Sequence, residues 1–127
     1  MVASGATQTW VLPSDLTAAS LARGHVEAAC GGLPPDILDV ARLLVTELVS
    51  NAVRHGRGTV LLAVACAGAT VRVEVQDESP DLPVMVRGGP LRENGAGLRL
   101  VAGLSTNWGT AERDDSRPGK RVWFVLL

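Results

Sequence analysis

Between Pro34-Pro35 and the break at Gly56-Arg57-Gly58 the chain holds one apolar stripe in helical phase, and no other feature constrains the fold as much. Ile37, Ala41, Leu44, Val45, Leu48, Val49 and Ala52 recur with a 3.6-residue period, which predicts a long helix opened by proline and Asp36 and stopped by glycine. Such a helix has to lay its stripe on a second layer. The residues that follow supply one. Residues 59–67 and 70–76 are β-like runs separated by Gly68-Ala69, which predicts a hairpin. In the second run Val71, Val73 and Val75 alternate with Arg72, Glu74 and Gln76, so one face is buried and the other polar.

The flanking segments extend this plan. Residues 10–12 read as an edge strand ended by Pro13. Ser14 or Asp15 caps a helix reaching Ala29, with Leu16, Ala19, Arg23 and Val26 at helical spacing and Gly31-Gly32 as its stop. Residues 77–95 break all periodicity, with Pro80, Pro83, Gly88, Gly89 and Pro90 among them, and a connection of that length marks a lid, a binding loop or disorder. Residues 97–104 then predict a short helix, and residues 107–111 and 121–127 a closing strand pair. This order predicts an α/β (α+β) fold, a two-layer sandwich of one mixed, mainly antiparallel sheet with three helices on a single face. Residues 1–8 are expected to be a flexible terminus, leaving residues 9–127 as one domain.

At 127 residues and 46% hydrophobic composition the chain can bury one ordinary core. Twelve basic residues against thirteen acidic ones leave a net charge of -1, which offers no footprint for nucleic acid or an anionic membrane. Cys30 and Cys66 do not fall at zinc-ligand spacing with His25 and His55, so they are expected to be free buried thiols. The first residues lack the basic and apolar regions of a signal peptide, and no apolar run approaches the ~18 residues of a membrane span. A cytoplasmic location is expected.

Three groups could carry chemistry. Glu47 and Asn51 sit four apart near the end of the long helix, roughly 40° apart on its surface, so both can address one small ligand. A carboxylate there can accept a proton, and a carboxamide oxygen suits magnesium. Asp77 ends a strand and opens the long loop, where an aspartate either caps a turn or accepts a hydrogen bond from an exocyclic amine such as that of adenine. Gly95-Ala96-Gly97 at a helix start is either a plain turn or a place where phosphate oxygens reach bare backbone N–H groups. Neither a dinucleotide fingerprint nor a P-loop fits, since Leu100 stands where a third glycine would fall and Arg121 follows Gly119-Lys120. His55 and Arg54 suit a helix C-terminus, and Trp108 and Trp123 read as core residues of the last strands.

The order of these groups resembles that of the GHKL ATP-binding superfamily, whose members include gyrase and histidine kinases. It looks most like the small anti-sigma-factor serine kinases and their actinobacterial relatives, from about Trp10 to the C-terminus. The resemblance implies a Bergerat ATP-binding fold with ATP and Mg²⁺ as cofactors. It makes Glu47 the catalytic base, Asn51 the magnesium ligand and Asp77 the adenine-reading carboxylate. Gly95 and Gly97 become phosphate-contacting glycines, Leu98 completes the GxGL pattern, and residues 78–94 become the lid. It implies an anti-anti-sigma-like antagonist protein and a sigma factor as partners, and admits a homodimer. Two departures stand out. Glu78, Ser79, Pro80 and Asp81 follow Asp77 where the family pattern has two glycines, and Arg121 is expected at the place of a threonine beside the adenine pocket. These departures favour an alternative, a catalytically inactive protein-binding module on the same fold.

Overall fold

The computed structural model describes residues 7–80, 96–113 and 117–127. The elements run β1 (Gln8–Leu12), α1 (Ala18–Ala29), α2 (Pro35–His55), β2 (Val60–Ala67), β3 (Thr70–Asp77), α3 (Ala96–Leu104), β4 (Asn107–Glu112) and β5 (Lys120–Leu126). The strands form one sheet in the order β1-β2-β3-β5-β4, and every neighbouring pair is antiparallel. The predicted two-layer α+β sandwich is therefore the fold, with an antiparallel sheet rather than a mixed one.

The sheet is apolar on its helix-covered face, because alternate residues of each central strand are hydrophobic. Val60, Leu62 and Val64 of β2, Val71, Val73 and Val75 of β3, and Phe124 and Leu126 of β5 are all buried there. Against them α2 lays Ala41, Leu44, Val45, Leu48, Val49 and Ala52, the stripe expected from its periodicity. Full burial of one such aliphatic side chain contributes about 1.5–3 kcal/mol, so this ladder dominates the stability of the domain. The helix α1 lies over β1 and β2, α2 over the centre, and α3 meets α2 and β4.

The phase of α1 differs from the expected one. Ala18, Ala22 and Val26 face the core, while Leu16 is 93% exposed. The helix starts later than its cap candidate because Asp15 accepts hydrogen bonds from the backbone N–H and the hydroxyl of Thr17, closing a turn ahead of the first helical residue. Its small residues at i, i+4 let the backbone approach the sheet closely. The Arg23 guanidinium donates to the Thr46 hydroxyl at 2.9 Å, joining α1 to one flank of α2.

Two further expectations are corrected. Cys30, which caps α1, and Cys66 of β2 form a disulfide with Cα atoms 5.9 Å apart, so they are not free thiols. Trp123 does not join the helix-facing core. Strand alternation sends it to the open face of the sheet, where the Arg72 guanidinium lies 5.2 Å from its ring centre. Gly109 stands opposite, where a Cβ would come within 2.6 Å of the indole. Trp108 does pack against the core, as expected.

Candidate functional site

The helix-facing rows of β3 and β5 pair Val71 with Leu126, Val73 with Phe124 and Val75 with Val122, and the next pair is Asp77 with Lys120. An apolar ladder thus ends in two opposite charges. Both are buried, Asp77 at 2% and Lys120 at 5% exposure. The Lys120 ammonium lies 2.9 Å from Asp77 Oδ2 and donates to Oδ1 at 3.1 Å, while the Ser79 backbone N–H donates to the same Oδ1 at 2.8 Å. Burial of either charge alone would be costly, and each supplies the other's counter-ion.

This end of the sheet is held against the end of α2. Gly56 follows the helix, and a Cβ on it would come within 2.6 Å of Asp77 Cγ and Oδ2, so only glycine lets the helix terminus rest on the carboxylate. The Glu78 N–H donates to the Arg57 carbonyl at 2.9 Å, and the Glu78 carboxylate accepts from the Thr59 N–H. From the other side the Ser14 hydroxyl donates to the Gly58 carbonyl at 2.7 Å. Gly119, just before Lys120, has φ 153°, a conformation that glycine tolerates and that lets the chain pass close to the Asp77 carbonyl.

Glu47 and Asn51 are half-buried on α2. Residues of α2 that meet α1, among them Thr46, Val49, Ser50 and Val53, lie on one flank. The 100° advance per residue puts Glu47 and Asn51 on the other, the side on which α3 packs. Among the described residues neither has a hydrogen-bond or ionic partner, so their oxygens are unspent. Asn51 precedes Gly56 by five residues, about 7.5 Å along the helix axis, so Asn51 and Asp77 lie about one and a half turns apart. Gly97 and Leu98 fall in the first turn of α3, whereas Gly95 and all of the proposed lid beyond Pro80 lie outside the described residues.

The side chain beside Asp77 is Lys120, not Arg121. Arg121 opposes Gln76 on the open face, where it donates to the Glu112 carbonyl at 3.1 Å and lies 3.5 Å from Glu74. Lys120 is not among the residues expected at the site, although two signals mark it: it is the only lysine, and it stands in phase with Val122, Phe124 and Leu126. Glu78 and Gly56 were also missed as the groups that fasten the helix end to the sheet.

The donor set suits a magnesium nucleotide. No cluster of three or more His, Cys, Asp or Glu side chains that could cage a metal occurs among the described residues. A hard cation held by one or two protein oxygens and by phosphates needs no such cage. No described helix is long and apolar enough to cross a membrane.

The sheet, its helical cover and the placement of these polar groups define an ATPase-like nucleotide-binding domain. The sequence matches the histidine kinase-like ATPase domain over residues 12–126, and the chain belongs to that family. Membership implies an ATP site. In fold it is similar to a crystal structure of the RsbU and RsbW domains of Rv1364c from Mycobacterium tuberculosis, with a TM-score of 0.70 at 19% identity. The superposition covers 95% of this chain and 32% of that one, so the chain spans about a third of its neighbour's length. No curated protein matches the sequence.

Proposed function

We propose that the protein is an ATP- and magnesium-dependent regulator that phosphorylates a serine on an antagonist protein and sequesters a sigma factor. The observation that carries this reading is the pair of unspent oxygens on one flank of α2, Glu47 and Asn51, on a helix whose end rests on a buried carboxylate. Its finer part rests on the likeness of the sequence to the anti-sigma-factor serine kinases. An RsbW domain in the chain of similar fold accords with it.

In this reading the Asn51 carboxamide oxygen holds Mg²⁺, and Asp77 accepts a hydrogen bond from the adenine amine. Glu47 takes the proton of the seryl hydroxyl, the role of a positioned general base. The α3 N-terminus, with Gly97 in its first turn, offers backbone N–H groups to phosphate oxygens. Bound Mg-ATP supplies the transferable phosphoryl group, and catalysis is chiefly positioning and electrostatic stabilisation. The test is incubation with a serine-bearing antagonist domain and labelled ATP. Transfer above the level of Glu47→Ala supports the kinase, and transfer equal to that level refutes it.

A second reading, a binding module without catalysis, is favoured by one observation: the Lys120 ammonium already engages both Asp77 oxygens. It predicts partner capture that is indifferent to nucleotide and to Asn51→Ala.

A further inference from the structure

We propose that Lys120 is a base-reading residue that works as a pair with Asp77: the carboxylate accepts from the adenine amine while the ammonium donates to adenine N1. The proposal rests on the ATP-site reading above and adds to it a residue outside the expected site set.

An ionised carboxylate offers about four lone-pair positions, and an ammonium three N–H groups. Asp77 Oδ1 takes the Ser79 N–H and one Lys120 N–H, and Oδ2 takes the ammonium again. Among the described residues this leaves one acceptor position on Oδ2 and one N–H on Lys120. The two unspent groups are neighbours, on atoms 2.9 Å apart. An acceptor beside a donor is the pattern that reads adenine bidentately, as an asparagine side chain does. Along the Watson–Crick edge the complementary groups are the N6 amine and N1.

The surroundings explain why a lysine rather than a neutral residue stands here. A carboxylate this deeply buried without a counter-ion would be costly. Lys120 supplies that counter-ion and spends only part of its own donor capacity. A purely structural role is poorly served by this pair, because the three preceding rungs of the ladder are apolar and another apolar pair would cap it as well. Gly56 packs against Asp77 Oδ2, and Gly119 before Lys120 lets the chain pass close to the Asp77 carbonyl.

The experiment is calorimetric titration of ATP, 1-deaza-ATP, which lacks the N1 acceptor, and purine riboside triphosphate, which lacks the amine. Each is added with magnesium to the wild-type protein and to Lys120→Met. In the wild type, loss of a charged hydrogen bond should weaken 1-deaza-ATP about tenfold or more relative to ATP. In Lys120→Met that difference should vanish. Should the variant fail to fold, the wild-type comparison stands alone. Equal affinity of the wild type for ATP and 1-deaza-ATP overturns the role of Lys120 while leaving the ATP site intact. Failure of the folded wild type to bind any of the three overturns the ATP site, and this proposal with it.

Discussion

Removing the Lys120 ammonium should destabilise the domain far more than removing any surface charge. In Lys120→Met the side-chain volume is roughly kept, but Asp77 loses the partner of both its oxygens and retains only the Ser79 N–H. At 2.9 Å the attraction is about 6 kcal/mol with an effective dielectric constant of 20. Relief from burying the ammonium offsets part of it, and breaking a buried pair from one side costs about 3–5 kcal/mol. That is a large share of a total stability of about 5–15 kcal/mol, and it corresponds to a Tm lower by roughly 10 °C or more. Urea unfolding followed by far-UV circular dichroism measures it. The double variant Asp77→Leu/Lys120→Met should recover most of the loss, since an apolar pair continues the ladder of Val71, Val73 and Val75. A single variant within about 1 kcal/mol of wild type would refute the reasoning, because it would place the ammonium in solvent.

Other perturbations follow from the same geometry. Gly56→Ala puts a methyl group 2.6 Å from the Asp77 carboxylate and should cost about 1–3 kcal/mol in urea unfolding, with weakened ATP binding in the same variant. The Cys30–Cys66 bond closes a 36-residue separation, so a reducing agent should lower stability by about 3–4 kcal/mol, measured as the shift in urea midpoint, and should do nothing to Cys30→Ala/Cys66→Ala. Hydrogen bonds from the Thr17 hydroxyl and then its N–H hold the Asp15 carboxyl below its usual 3.8, against a small opposing effect of burial. A carboxyl lowered in the folded state stabilises above its unfolded value and loses that contribution as pH falls through the folded one. The stability gap between wild type and Asp15→Ala should therefore be full near neutral pH and shrink as pH falls below 3.8.

The central layer was legible because its signals are redundant. Val71, Val73 and Val75 alternate, α2 carries seven apolar residues in one phase, and glycine and proline mark its ends. The start of α1 was less legible, since Leu16 is more apolar than Ala18 or Ala22 and only the Asp15 turn decides which phase faces inward. The placement of the candidate residues on regular elements was likewise readable: Glu47 and Asn51 share a flank of α2, and Asp77 ends its strand. What the sequence concealed are pairings between distant segments. A one-residue choice of register decides whether Lys120 or Arg121 meets Asp77, and it reverses the face of every neighbour. The disulfide was missed for a related reason, because proximity of Cys30 and Cys66 arises only once α1 crosses β2.

The most direct test of an ATP site at this end of the sheet is titration of ATP, with and without Mg²⁺, into the wild-type protein, Asn51→Ala and Asp77→Asn. Magnesium should strengthen binding to the wild type, Asn51→Ala should lose that dependence on the metal, and Asp77→Asn should bind more weakly under both conditions. A folded wild-type protein that takes up no nucleotide, or an Asn51→Ala variant indistinguishable from it, would contradict the assignment.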